Sequence, residues 1–307
     1  MADINLQEIH DRLVSIAFEA GKMIMAANPS TISTDTKLNS ADIVTETDQA
    51  VERMVGTKLR EAYPQFEFVG EETYVAGQTK VTDAPTFIVD PIDGTTNFVH
   101  GFPAACTSLG FAVGREAVVG VVYNPFLDIL YTGIKGKGSY MHIRASLSEV
   151  TQKFRLPLSG KGDGQKAPPL KGLQSSLLAV EWGSNRDGRN YEVKWDTFRK
   201  LAGSKEIGGS MVHSLRSLGS AALNLCHTAA GEVDMYWEGG CYAWDVCAGW
   251  CILSEAGGIM VSGNPGDWET QLDSRVYLAV RGAPSGQKEM VEEFWAVVGD
   301  GRLDYNH

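Results

Sequence analysis

The chain has 307 residues, of which 43% are hydrophobic, 21% charged and 9% aromatic, the make-up of a water-soluble globular protein with ample length for a core. A formal net charge of -11 argues against a general binder of nucleic acid or of anionic membranes. It leaves room for a phosphate-bearing ligand, because a bound cation reverses the sign locally.

In chain order, Leu6, Ile9, Leu13, Ile16, Ala17, Ala20 and Ile24 recur at helical spacing and predict a first amphipathic helix ending before Asn28-Pro29. A polar stretch over 30–40 reads as a loop or hairpin carrying Lys37. Thr45-Glu46-Thr47-Asp48 is a capping box opening a second helix, with Val51, Met54, Val55 and Leu59 on its apolar face. Residues 66–69 predict a strand that runs into Gly70-Glu71-Glu72. A second strand, 87–89, is expected to stop at Pro91, which has no N–H and biases Asp90 to an extended conformation. Gly94 permits a turn there, and Thr95 or Thr96 could cap the helix that follows. Strand-like runs at 107–113, 117–123 and 129–133 predict an antiparallel meander.

Residues 144–172 are rich in Lys, Gly, Pro and Ser and read as a loop or insertion between a first half, 1–143, and a second, 173–307. In that second half strands are expected at 177–180, 233–237 and 276–280. Helices are expected at 191–202, 218–230, 246–256 and 287–298. Such alternation implies a mostly parallel sheet covered by helices. The apolar region 106–131 is interrupted by Arg115, Glu116, Asn124 and Asp128 and does not span a bilayer. The five cysteines form no C-x-x-C pair, and no targeting segment is visible, so the expectation is free thiols in the cytoplasm.

The densest chemistry is Asp90-Pro91-Ile92-Asp93-Gly94-Thr95-Thr96-Asn97-Phe98. Two carboxylates and the Ile92 carbonyl at a strand end offer hard oxygen ligands suited to Mg²⁺, and the helix start beyond them suits a phosphate. A plain structural reading makes the aspartates turn formers and caps. Glu71, Glu238 and Asp245 are open to the same reading, as rim charges or an N-cap, and Asp48 is explained equally well by helix initiation.

Taken together, these blocks resemble the inositol monophosphatase family of Mg²⁺-dependent phosphatases. Asp90 to Phe98 resembles its signature. Asp42-Ile43-Val44-Thr45-Glu46-Thr47-Asp48, Gly70-Glu71-Glu72, Gly219-Ser220-Ala221-Ala222, and Trp244-Asp245 with Glu255-Ala256-Gly257-Gly258 resemble further blocks in the same order. The 144–172 stretch departs from that pattern by its length. The resemblance implies an α+β fold, a layered α-β-α-β-α sandwich with an antiparallel sheet from the first half and a mixed, mostly parallel one from the second. It implies two or three Mg²⁺ per site, with Glu71, Asp90 and the Ile92 carbonyl holding one. Asp90, Asp93 and Asp245 would hold another. Thr95, Asp48 and Glu71 would activate water, and Lys37 would close over the metals. The backbone of Gly94 and Thr95, with Thr96, would meet phosphate. Asp93, Gly219, Ser220, Ala221, Glu238 and Asp245 would meet the alcohol.

The activity so implied is hydrolysis of inositol monophosphates by a Li⁺-sensitive homodimer that binds neither nucleic acid nor membrane. A related phosphatase for another sugar phosphate or a nucleotide bisphosphate is the alternative, and a catalytically silent metabolite sensor a further one. Glu238 should favour a neutral polyol, since Lys and Arg are absent from 219–222 and 236–245.

Overall fold

The structure, a computed structural model, describes residues 4–27, 34–36, 43–158 and 167–305. Helix α1 (Leu6–Ala26) is followed by a two-stranded antiparallel pair, β1 (Thr34–Thr36) and β2 (Ile43–Thr45), and then by α2 (Glu46–Ala62). Thr45 caps α2 as expected. It accepts the Asp48 N–H, while its own N–H donates to Asp48 Oδ2 at 3.0 Å.

Seven strands then form one sheet in sequence order: β3 (Glu67–Gly70), β4 (Thr86–Asp93), β5 (Cys106–Val113), β6 (Glu116–Asn124), β7 (Ile129–Ile134), β8 (Gly138–Ile143) and β9 (Gln152–Arg155). Only β3 and β4 pair in parallel. The meander is therefore longer than the sequence suggested, and the 144–172 stretch contributes β9 to it. β4 also runs on through Pro91 instead of stopping there. Its register against β5 shifts between Asp90 and Asp93, and such a bulge tolerates a residue with no N–H. Short α3 (Thr95–Val99) follows, with Gly94 and not a threonine at its N-cap position.

The second sheet has the order β11 (Ser214–Arg216), β10 (Leu177–Val180), β12 (Met235–Gly239), β14 (Val276–Val280), β13 (Ile259–Ser262). The β11, β10 and β12 strands are parallel, while β12, β14 and β13 pair antiparallel. This sheet is evenly mixed rather than mostly parallel, because β13 and β14 form a hairpin-like return after α6. The helices here are α4 (Gly188–Ala202), α5 (Ala221–Ala230), α6 (Ala243–Glu255) and α7 (Gln287–Val298).

Three apolar clusters stack these elements into five layers. Ile9, Leu13 and Ile16 of α1 and Val51, Val55 and Leu59 of α2 pack on Phe87, Leu109 and Val121 of the large sheet. On its other face α5 and α6 lie between the sheets, where Leu225, Ala248 and Ile252 meet Val122, Tyr131 and Tyr236. Alternate residues of the small sheet, such as Trp237 and Leu278, point the other way onto Phe294 and Val298 of α7. The expected α-β-α-β-α order is the one observed.

A row of glycines brings α6 unusually near the large sheet. Gly110, Gly120 and Gly133 are register partners on β5, β6 and β7. A Cβ on Gly120 would fall 2.1 Å from the Ala248 carbonyl oxygen, and one on Gly110 would fall 2.5 Å from Cys247 Sγ. This close approach sets the depth of α6, and α6 carries Asp245 at its first turn.

Candidate active site

The site lies where β4, the N-termini of α5 and α6, and the end of β12 converge. The bulge in β4 turns Asp90 and Asp93 toward α6, and Asp245 closes the group. Carboxylate oxygens of Asp90, Asp93 and Asp245 lie within 4.8 Å of one another. Asp90 is only 2% exposed, and its Oδ1 is buried with no hydrogen-bond partner. Among the described residues no Lys or Arg pairs with any of the three. Burial drives all three carboxyls above their ordinary range, and their mutual repulsion and the charge of Glu71 add to it. Asp93 is held to about 7, because the Ser220 hydroxyl and the Ala222 N–H donate to its Oδ2 at 2.6 and 2.7 Å. Asp245 is not the N-cap of α6, a position that Tyr242 holds; from the third helical position it accepts the Tyr242 N–H at 2.6 Å and stabilises the helix start, while its carboxylate stands in the acidic group.

An unpaired buried carboxylate oxygen and crowded acids without cations form a donor set that a divalent cation fits. Hard oxygens satisfy its coordination, and its charge offsets a repulsion the protein does not balance itself.

Asp48, 1% exposed, is raised to about 7 by burial, against the hydrogen bonds from Thr45 and with the charges of Glu71 and Glu72 adding to the rise. Its Oδ1 accepts the Thr95 hydroxyl at 3.2 Å, and Thr95 Oγ1 also reaches the Ile92 carbonyl at 3.0 Å. The Ile92 carbonyl is thus engaged on one side rather than free. Gly94 has φ 91°, and a Cβ there would fall 2.8 Å from the Ala104 carbonyl, so only glycine fits this turn. Glu71 stands outside the 4.8 Å group but lines the same cleft. Lys37 lies outside the described residues.

The cleft has a volume of about 740 Å³. Glu71, Asp93, Thr96, Asp245 and Glu238 line it, together with Gly219, Ser220 and Ala221. Glu238 is 9% exposed, accepts the Tyr236 hydroxyl, and is raised to about 7 by burial and by Glu181, with Lys194 opposing.

The sequence assigns no individual role to several further contributors, although Glu181 opens the block Glu181-Trp182-Gly183-Ser184, which resembles a family segment lining the second half. Glu181 accepts the N–H groups of Leu218 and Gly219 at 2.6 and 2.9 Å and so shapes the α5 entrance. Asn97, inside the signature, ties that entrance down through the Ala104 and Leu218 carbonyls. Glu52 lies one helical turn beyond Asp48 on the buried face of α2, where a charged residue was a visible anomaly. It accepts the Glu72 N–H at 2.7 Å beneath the Glu71 loop. Arg186 and Arg275 also line the cleft, so the absence of basic residues from 219–222 and 236–245 does not carry over to the cleft as a whole.

Two stacked sheets with interleaved helices, and a group of crowded carboxylates opening on a cleft, define a layered α+β sandwich with an acidic cluster at its centre. The chain belongs to the inositol monophosphatase family, whose sequence profile matches residues 5–299. It is 45% identical to "Inositol monophosphatase 2" of Saccharomyces cerevisiae over 307 residues, 98% of each chain. It is 38% identical over 264 residues to "Inositol monophosphatase 1" of Bos taurus, covering 85% of this chain and 86% of that one. Among solved structures, the inositol monophosphatase from Anabaena superposes with a TM-score of 0.70 at 26% identity, over 97% of each chain.

Proposed function

We propose that the protein is a Mg²⁺-dependent phosphomonoesterase that hydrolyses inositol monophosphates to inositol and inorganic phosphate. The observation that carries this is the unpaired Asp90 oxygen within a three-carboxylate group, two members of which, Asp93 and Asp245, line a cleft that Glu238 also lines. Asp90, Asp93 and Asp245 would hold one Mg²⁺, and Glu71, Asp90 and the Ile92 carbonyl a neighbouring one. When bound, Mg²⁺ supplies the positive charge that balances these carboxylates and the charge developing on the phosphate.

Thr95 would orient the attacking water. The water gives a proton to Thr95 Oγ1 as the hydroxyl passes its own to Asp48 Oδ1, a relay supported by the 3.2 Å contact. A carboxyl raised to about 7 suits proton transfer near neutral pH. As the new P–O bond forms, the ester P–O bond breaks, and the alcohol oxygen takes a proton from a cleft water, whose hydroxide is neutralised by the proton held on Asp48. Backbone N–H groups of Gly94 and Thr95 would hold the phosphate beside Thr96, and Gly219, Ser220 and Ala221 would shape the alcohol side. Glu238 would accept hydrogen bonds from the hydroxyls of the polyol. The side-chain hydrogen bonds of Arg186 and Arg275 go to backbone carbonyls, which is compatible with a neutral polyol.

The direct test compares Glu238→Gln with wild type on inositol monophosphate and on an aryl phosphate. Hydrogen bonds to a charged group are worth roughly 1.5–3 kcal/mol, so KM should rise about tenfold or more for the inositol ester alone. An equal effect on both substrates, or a wild type that prefers a bisphosphate, sinks the substrate assignment.

Two copies pairing as a homodimer, and residence in the cytoplasm, belong to the same proposal. Both faces of the meander are covered by helices of its own chain, so the pairing rests on the family alone. A single-chain mass on sedimentation at micromolar concentration would overturn it. The five cysteines are all buried free thiols, as suits a reducing compartment. Among the described residues no helix is long and apolar enough to cross a membrane.

A further inference from the structure

We infer that residues 303–305, the segment after α7, form an outer wall of the substrate cleft, and that Tyr305 is a positioning residue that holds the end of β12, and with it Glu238, in place. The inference deepens the function proposed above and rests on it.

The segment is fastened residue by residue. Leu303 is buried in the core between the small sheet and α7. Its N–H donates to Asn264 Oδ1 at 2.8 Å and its carbonyl accepts Asn264 Nδ2 at 2.9 Å. Asp304 makes the same pair of bonds with Asn190, at 2.9 and 2.7 Å. Two asparagine amides thus imitate a neighbouring strand, and they deliver Tyr305 to the cleft, which it lines.

There the Tyr305 ring lies against the backbone that follows Glu238. A Cβ on Gly239 would fall 2.7 Å from Tyr305 Cε2, and one on Gly240 would fall 3.2 Å from Cε1. Two glycines in succession leave that backbone with little stiffness of its own. Arg275 links the parts. Its guanidinium lies 3.7 Å from the Tyr242 ring centroid and 5.5 Å from that of Tyr305. It donates to the Gly240 carbonyl at 2.8 Å and to the Tyr305 carbonyl at 3.3 Å, and the Gly240 N–H returns a bond to the Arg275 carbonyl. Lys194 Nζ holds the Gly239 carbonyl at 2.7 Å and lies 5.8 Å from the Tyr305 ring centroid. Removing the ring opens a space against Gly240 and, beside Leu303, against Gly239, and so loosens the strand end at its last pairs with β14, Glu238 with Tyr277 and Gly239 with Val276. The Tyr305 hydroxyl, by contrast, is buried with no hydrogen-bond partner, so the ring and not the hydroxyl does the holding.

The test uses the full chain with Tyr305→Ala and Tyr305→Phe, and two readouts. In the Ala variant KM for inositol monophosphate should rise about tenfold, while KM for p-nitrophenyl phosphate rises no more than about twofold, because only the polyol uses Glu238. Hydrogen–deuterium exchange in the peptide spanning 236–242 should become faster. Tyr305→Phe should restore both readouts. Wild-type exchange in the Ala variant, an equal rise in both KM values, or a Phe variant as impaired as Ala would each overturn the inference. If wild type fails to hydrolyse inositol monophosphate, the proposed function falls by itself, and the exchange rates alone then decide whether Tyr305 holds the strand end.

Discussion

Stripped of divalent cations, the protein should lose stability as the pH rises from 5 to 7. Asp48 is a buried carboxyl whose folded pKa is lifted from 3.8 to about 7, chiefly by desolvation. A carboxyl raised in this way binds its proton more tightly when folded. Its contribution is therefore complete below about pH 4, lost as the pH climbs, and exhausted once the folded pKa is passed. At about 1.4 kcal/mol per pH unit, with the group half ionised at its folded pKa, about 2 kcal/mol per carboxyl is removed between pH 5 and 7. Asp93 and Glu238, also lifted to about 7, act in the same direction. Two such groups amount to roughly 10 °C of melting temperature in a chain this size. On the proposed assignment a divalent cation would bind the ionised form of Asp90, Asp93 and Asp245, so stabilisation by Mg²⁺ should grow over the same interval. Differential scanning calorimetry in EDTA and in Mg²⁺, at pH 5, 6, 7 and 7.5, reads both effects. A melting temperature in EDTA that is flat or rising, or a Mg²⁺ increment equal at pH 5 and 7, would refute the reasoning.

Asp90→Asn and Asp245→Asn should each lower phosphate release at saturating Mg²⁺ by on the order of a hundredfold or more, yet raise the melting temperature in EDTA by relieving buried repulsion. Full activity in either variant discards the assigned ligands. Gly120→Ala should destabilise the protein by roughly 1–3 kcal/mol or more, because the added methyl meets the Ala248 carbonyl at 2.1 Å and neither backbone yields easily. Denaturant melts unchanged from wild type would show that α6 can move away. Li⁺ should inhibit phosphate release more strongly than Na⁺ at equal ionic strength, and matched responses to the two salts would count against a shared metal site.

The parts of the site that were legible in sequence are those whose local and functional chemistry coincide. Thr45 and Asp48 announce a helix start by their spacing, and that same cap places Asp48 Oδ1 against Thr95. The signature strand and glycine turn were visible, but the continuation of β4 through Pro91 was not. Whether proline ends a strand or sits in a bulge depends on its β5 neighbours, which lie more than a dozen residues away. The parallel bias read into the second half failed for a similar reason. Strand–helix alternation is equally compatible with the antiparallel return of β13 and β14, and pairing direction is a long-range property. Gly110, Gly120 and Gly133 fall inside the meander strands read from the sequence, where nothing local marks them out. Only their register reveals a bed for α6. Arg275 and Tyr305 had no local pattern at all, since both owe their places to contacts with residues around Gly240.

The central claim is that the carboxylate group around Asp90 serves hydrolysis by holding divalent cations. It is tested most directly by phosphate release from inositol monophosphate by EDTA-treated protein, with Mg²⁺ titrated back at neutral pH. The account predicts no release in EDTA and a saturable recovery that Asp90→Asn abolishes. Release that continues undiminished in EDTA, or none at any Mg²⁺ concentration, would contradict it.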